Sequence, residues 1–335
     1  VTVAPRKATD PLPRADIVVV TWTNAEWSAL DHVFVNSDSA RGSGAGSWDA
    51  DWLPYSHNTA SYSSDSRSDP LWGTFRVVTV PGVTQDWTVI LYRSNAHLQY
   101  SPYIAGLRAE VNAIISDAQP KYLYSIGTAG GGNLQQMLGD AVLTNGAQLL
   151  PGAPPNNQDP ENGATFTCSN WFPSSTLFAS AQQLMFPLAS VATQQDLETV
   201  FSQFSRKNKV GNITLTDLIN GPLNPANLGS PSIHSMQGTP LNTSCNFAMA
   251  PGEGSTAFSA YEEDDAVLGE VALSGGVNFA FMRNVSDPVV PDKAGDGTAI
   301  STKLRQQWAS ALYERYGLFT ASNGALATWA VIGAS

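Results

Sequence analysis

Residues Tyr122–Asp140 read Tyr-Leu-Tyr-Ser-Ile-Gly-Thr-Ala-Gly-Gly-Gly-Asn-Leu-Gln-Gln-Met-Leu-Gly-Asp. Tyr122 to Ile126 has the largely apolar, β-rich character of a strand buried inside a sheet. It runs straight into Gly127-Thr128-Ala129-Gly130-Gly131-Gly132, which predicts a tight turn with bare backbone N–H groups. A turn at the carboxyl end of a sheet strand is where open α/β folds place ligands. Leu138-Gly-Asp-Ala-Val-Leu-Thr then predicts another strand.

Working outward, Asp16-Ile-Val-Val-Val-Thr-Trp-Thr predicts the first strand, with apolar, mostly β-branched residues in succession. Asn24 can cap a helix from Ala25 to about Phe34. Glu26 falls in its first turn, where a carboxylate complements the helix dipole whatever else it does. Residues 1–15, with Pro5, Pro11 and Pro13, read as an arm, and residues 36–72, rich in Ser, Gly and Asp, as a surface excursion. Trp72 to Val80 and Asp86 to Tyr92 predict antiparallel strands across Pro81-Gly82. Pro102 to Ala118 predicts an amphipathic helix with Ile104, Leu107, Val111, Ile114 and Ile115 on one face.

Later segments continue the alternation. Residues 152–173 read as a loop, and Leu177 to Ala192 and Gln195 to Phe204 as helices. Residues 207–260 carry no clear pattern. Tyr261-Glu-Glu-Asp-Asp is an acidic start to an apolar helix, Asn278-Phe-Ala-Phe-Met-Arg a strand, and the tail two helices, about Ala299 to Tyr316 and Leu318 to Ile332. The predicted architecture is α/β: three αβα layers around a central mixed, largely parallel twisted sheet, in one domain over residues 16–335.

Composition narrows the function classes. The chain has 335 residues, 42% of them hydrophobic, enough for a sizeable core, and only 13% charged. That charged fraction is about half the usual soluble average and is more often met in exported proteins. The net charge of −11, without a Lys/Arg cluster to relieve it, argues against a nucleic-acid partner. No apolar run is long enough for a membrane span, so no membrane partner is expected. A start at Val1 reads as that of a processed chain. The sequons at Asn212 and Asn242 are glycosylation candidates, whereas the one at Asn284 falls on a predicted active-site loop and is set aside. Cys168 and Cys245 form either one disulfide or two free thiols. Together these features lean towards a secreted protein.

The sequence has no Gly-x-Ser-x-Gly elbow, phosphate-binding loop, dinucleotide fingerprint or Cys/His metal spacing. No cofactor is expected. A lone His97 reads as a structural hydrogen-bonder. What remains is carboxylates at element termini: Glu26, the run from Glu262 to Asp265, and Asp287. All can converge on the glycine turn, and acids without basic sequence partners suit acid/base work on a neutral polyol such as a sugar.

The order of these motifs resembles the nucleoside phosphorylase/nucleosidase superfamily: a first strand and helix bearing Glu26, Gly127-Thr128-Ala129-Gly130-Gly131 followed by Leu138-Gly-Asp, the acidic helix start, and Arg283-Asn-Val-Ser-Asp. The resemblance spans about residues 16 to 290. It implies hydrolysis of the N-glycosidic bond of a purine ribonucleoside. Glu26 would activate water, and Thr128, Ala129 and Gly130 would line the ribose. An acid at the start of the late helix would grip the ribose hydroxyls. Counting back from Arg283–Asp287 puts Asp264 there, where the family usually has Glu, with Glu263 in place of the usual Met. A shift of one residue would make Glu263 the ligand, so both stand. Ser286 would orient Asp287, which would protonate the base, and Phe247 and Phe258 are the candidates for stacking on it. A homo-oligomer is expected, since in this family a neighbouring subunit often completes the site.

The family's phosphorylases usually carry an Arg in the loop after the first strand. Here that loop is Thr21-Trp-Thr-Asn-Ala-Glu, with no Arg, which favours hydrolysis over phosphorolysis. A non-catalytic secreted storage or binding relative is the alternative of another class.

Overall fold

The computed structural model describes residues 6–36, 51–58, 71–98, 103–150, 163–186, 192–219, 232–244 and 257–335. In chain order the elements are β1 (Ile17–Thr21), α1 (Asn24–Phe34), β2 (Leu53–Tyr55), β3 (Gly73–Pro81), β4 (Asp86–Ser94), α2 (Tyr103–Ala118), β5 (Tyr122–Gly131), β6 (Ala141–Thr144), β7 (Gly146–Leu149), β8 (Thr165–Thr167), α3 (Ser175–Leu184), α4 (Gln194–Lys207), α5 (Leu215–Leu218), β9 (Ile233–Ser235), β10 (Leu241–Thr243), β11 (Ala260–Glu262), α6 (Asp265–Ser274), β12 (Asn278–Asp287) and α7 (Thr302–Ala334).

The strands form one mixed sheet in the order β2-β3-β4-β1-β5-β11-β10-β7-β8, with β12 beside β5 and β6, and β9 on β6. Its centre is parallel: β4, β1, β5 and β12 all run the same way. Strand periodicity then sorts side chains onto two faces. Val18 and Val20 of β1, with Phe279 and Phe281 of β12, join a core with Leu107 and Val111 of α2 and Val267 and Leu268 of α6. Ile17, Val19, Ala280 and Met282 join the opposite core, with Trp27 and Leu30 of α1 and Ala325, Val331 and Ile332 of α7. This is the three-layer αβα arrangement expected from uninterrupted apolar strands.

Several expectations change. The Gly127–Gly131 stretch is not a turn: it is the second half of β5, paired to β12 from Gly127↔Arg283 to Gly130↔Asp287. None of Gly127, Gly130, Gly131 or Gly132 has a positive φ, so conformational freedom is not their use. Room is: a Cβ on Gly127 would fall on Arg283 Nη1, and one on Gly130 would lie 2.9 Å from Asp287 Oδ2. The tail is one continuous helix rather than two. Gly317 sits inside it with the Tyr313 ring 3.2 Å from where its Cβ would be. The helix-interior cost of glycine, about 1 kcal/mol, is offset by burial along the whole length: Trp308, Leu312 and Tyr316 pack on Leu197, Val200 and Phe204 of α4, and the later residues on the sheet. The arm is not loose over its described part, since Leu12 is buried and its N–H donates to Asp117 Oδ2 at 3.0 Å.

Asn242 is 2% exposed on β10, between β7 and β11. A glycan there is incompatible with the fold, so that candidate is withdrawn. Asn212 is exposed. Cys168 is a buried free thiol, its Sγ 3.8 Å from Asn278 Oδ1. Cys245, the other cysteine of the disulfide-or-free-thiol alternative, and the stacking candidate Phe247 lie outside the described residues.

Candidate active site

One edge of β5 is left open where the site forms. β1 accompanies β5 only as far as Val20↔Ser125, and β11 takes up pairing again at Gly130 and Gly131, running antiparallel. Between them the ladder N–H of Thr128 has no strand partner and meets a side chain instead. Such a break at the carboxyl ends of parallel strands is where α/β sheets open a crevice. Here it is a cavity of about 550 Å³.

Glu26 fills the gap. Thr23, rather than Asn24, caps α1, and Glu26 closes a capping box with it. Glu26 Oε2 accepts from Thr21 Oγ1 at 2.9 Å, Trp22 N at 3.1 Å and Thr23 N at 2.9 Å. Oε1 accepts from Thr128 N at 2.8 Å and Thr128 Oγ1 at 3.0 Å. One carboxylate thus both starts the helix and faces the cavity. Burial alone would push its pKa up, but the Arg283 guanidinium and these N–H and O–H donors hold it below the usual carboxylate range.

Asp287 stands across the cavity at the end of β12. A register shift between Val285 and Asp287 breaks the ladder there, the kind of irregularity that re-aims a side chain. Ser286 Oγ donates to Asp287 Oδ1 at 2.6 Å. Burial pushes the Asp287 carboxyl up to about 7, against the Ser286 hydrogen bond.

The acidic run splits between β11 and the start of α6. Arg283 Nε donates to Asp265 Oδ2 at 2.7 Å and Nη2 lies 3.1 Å from Glu262 Oε2. Glu262 also accepts from Thr243 Oγ1 and from the backbone N–H of Asp264 and Asp265, so it braces the helix start. Asp264 Oδ1 accepts from Leu98 N at 3.0 Å, and its Oδ2 lies 3.2 Å from His97 Nε2. Glu263 Oε2 lies 3.3 Å from the same nitrogen. Burial pushes Asp264 up to about 7, while His97 and the Leu98 N–H pull it down. Burial alone would lower His97, but Asp264 and Glu263 raise it to about 9.

Of the residues singled out from sequence, Glu26, Thr128, Ala129, Gly130, Glu263, Asp264, Ser286 and Asp287 all line this one cavity. Phe258 does not; it packs edge-on against Tyr261, which does. Both Glu263 and Asp264 reach the cavity, and Asp264 is the more buried. His97, Trp22, Tyr261, Ser310 and Tyr313 also line it, and no motif in the sequence marked them. Trp22 falls near the end of the stretch Asp16–Thr23 expected as the first strand and just past the observed β1; that place at a strand's carboxyl end is the signal that could have found it. Its ring lies under the Arg283 guanidinium at 5.1 Å, and its indole N–H is buried without a hydrogen-bond partner.

No family model and no curated protein matches the chain by sequence. Solved structures do resemble it over nearly all of its length. A 5′-methylthioadenosine/S-adenosylhomocysteine nucleosidase from Neisseria meningitidis, in complex with methylthio-immucillin-A, shares 10% identity over 95% of this chain and 98% of that one, with a TM-score of 0.50. The chain shares the fold of that protein. A futalosine hydrolase mutant of Helicobacter pylori aligns at 9% identity over 96% and 99%, again at 0.50. A 5′-methylthioadenosine/S-adenosylhomocysteine nucleosidase from S. pneumoniae with a transition-state inhibitor aligns at 11% over 95% and 98%, at 0.50. The mixed α/β sheet is common to this chain and to them.

Proposed function

We propose that this chain hydrolyses the N-glycosidic bond of purine ribonucleosides to free base and ribose. One observation carries the reading: two carboxyl groups in a single cavity are driven to opposite protonation states. Glu26 is held ionised by its donors and Arg283, whereas burial keeps Asp287 protonated up to about pH 7. Paired acids whose environments separate their pKa values mark an acid and a base.

The chemistry follows from that separation. Cleavage leaves electron density on the base and positive charge on the ribosyl carbon. Asp287 gives its proton to the base as the C–N bond breaks, making it a neutral leaving group. Glu26 and the neighbouring carboxylates stabilise the oxocarbenium-like sugar. Water adds to that carbon and gives up its proton to Glu26, whose Oε1 is freed for it as the Thr128 hydroxyl turns away from the carboxylate. The many donors on Glu26 make it a weak base, which suffices because water attacking a cation is already acidic. Asp264 and Glu263 take the ribose hydroxyls. The similarity in fold to two 5′-methylthioadenosine/S-adenosylhomocysteine nucleosidases and a futalosine hydrolase supports this reading.

Phosphate is a poor nucleophile for this cavity. Its lining cations are Arg283 and His97, and each already faces two carboxylates. A dianion would enter against Glu26, Glu263 and Asp264, at repulsions of about 1 to 4 kcal/mol per close pair. Incubation with inosine, adenosine and guanosine, with and without phosphate, tests the reading. Free ribose in phosphate-free buffer is the expected product. Ribose 1-phosphate formed only with phosphate makes the chain a phosphorylase, and no base release makes it a binding or storage protein.

A further inference from the structure

Four acids stand in succession from Glu262 to Asp265, and the fold supplies them with two cations in a regular division. Arg283 meets Glu262 and Asp265. His97 meets Glu263 and Asp264, at 3.3 and 3.2 Å. His97 comes from the turn between β4 and α2, far from the acids in sequence, and that turn is tied down on both sides. Ala96 N donates to Ser94 Oγ at 3.0 Å, and Ser94 Oγ lies 2.6 Å from Glu110 Oε2 in α2. On the other side Leu98 N donates to Asp264 Oδ1. The imidazole therefore has a fixed approach to the cavity it lines.

The lone pairs of Asp264 give this approach a use. A carboxylate oxygen accepts two hydrogen bonds. Leu98 N–H takes one on Oδ1. His97 Nε2 stands 3.2 Å from Oδ2 as an ion-pair partner that Asp264 shares with Glu263. At least one acceptor site is left on each oxygen, enough to grip two adjacent hydroxyls. Asp264 is buried, so without a cation beside it the carboxyl would take up a proton and lose acceptor strength.

We propose that His97 is a positioning residue of the ribose subsite, an imidazolium that keeps Asp264 ionised and aimed so that the pocket selects vicinal-diol sugars over deoxygenated ones. This rests on the ribonucleoside reading above. Other charged groups face the pair: Glu26 of α1, Glu110 of α2, Glu262 of β11 and Arg283 of β12, while Asp287 faces Glu263. All but Arg283 are acids, and of the two cations His97 acts more strongly on Asp264 than Arg283, which meets Glu262 and Asp265.

Titration calorimetry with inosine and 2′,3′-dideoxyinosine tests the proposal between about pH 6 and pH 10, from below the free histidine value of about 6.5 to above the value of about 9 that the adjacent acids give His97. Each hydroxyl hydrogen-bonded to a charged group is worth about tenfold or more in affinity, so the wild-type chain prefers inosine. His97→Ala removes most of that preference while dideoxyinosine affinity stays within about twofold. His97→Gln keeps a donor without the charge: its inosine affinity falls on the acid side at a higher pH than in the wild type, because Asp264 loses the cation that lowers its pKa. Variants that keep the wild-type preference and pH profile overturn the proposal, as do variants that lose both ligands equally. Binding is read with Asp287→Asn present in every chain, which slows base release about 10² to 10⁴-fold so that the ligands persist, and turnover is read separately with Asp287 in place. A wild-type chain that shows the preference and releases no hypoxanthine overturns the hydrolase reading and leaves the role of His97 standing; one that binds neither ligand overturns both.

Discussion

Glu26 Oε1 accepts hydrogen bonds from both the N–H and the hydroxyl of Thr128, at 2.8 and 3.0 Å, in the only stretch of that β5 edge where neither β1 nor β11 pairs with it. The first helix of the fold is thereby fastened to the central strand through a carboxylate that lines the cavity.

Glu26→Gln places an NH₂ group against a backbone N–H, whichever way the amide turns. The capping box and the Thr128 contact cannot both survive. Stability is expected to fall by about 1 to 3 kcal/mol, read by chemical denaturation. Base release falls by about 10² to 10⁴-fold, read in single turnovers on the folded fraction.

Asp287→Asn removes the proton donor and keeps the shape. Base release is expected to drop by about 10² to 10⁴-fold with nucleoside affinity largely retained. In the unmutated chain the required form of Asp287 is the acid, and burial raises its pKa to about 7. The rate therefore declines as pH rises through that value, a basic limb that the variant lacks, whereas the acid limb belongs to Asp264, which burial also raises to about 7. A pH profile of kcat/KM checks both points.

Gly127→Ala drives a methyl into Arg283 Nη1. Overpacking of this kind costs about 1 to 3 kcal/mol. Displacement of Arg283 would also release Asp265 and Glu262. Loss of both stability and base release is expected, measured by melting and by product assay.

Burial raises Glu110 to about 8, Asp264 and Asp287 to about 7, and the adjacent acids raise His97 to about 9. Each folded value lies above its unfolded one, about 4 for the carboxyls and 6.5 for the histidine. Their contribution to stability is therefore full below those unfolded values and is lost as pH rises through the folded ones. The melting temperature is expected to be higher near pH 5 than near pH 8.5. Glu110→Gln, which stays neutral and can still meet Tyr92 and Ser94, narrows that difference.

The elements that place the site were largely legible in the sequence. β1, β5 and β12 are buried on both faces, so they appear as largely apolar runs; Thr128, Ser286 and Asp287 lie in the carboxyl-terminal halves of β5 and β12, and Glu26 lies in the first turn of the helix after β1. The glycine stretch misleads because sequence does not distinguish glycine needed for φ from glycine needed for room; Arg283 and Asp287 supply the reason only once β12 lies beside β5. β9, β10 and β11 span three residues each, too few to show a period. His97, Tyr261 and Tyr313 reach the cavity through tertiary packing, and a single His or Tyr carries no spacing to read.

The most direct test is the product balance from inosine in phosphate-free buffer. Hypoxanthine and free ribose in equal amounts, with no gain in rate when phosphate is added, is the result expected of a cavity in which Glu26 is ionised and Asp287 protonated. No hypoxanthine without phosphate, and ribose 1-phosphate with it, would contradict the account.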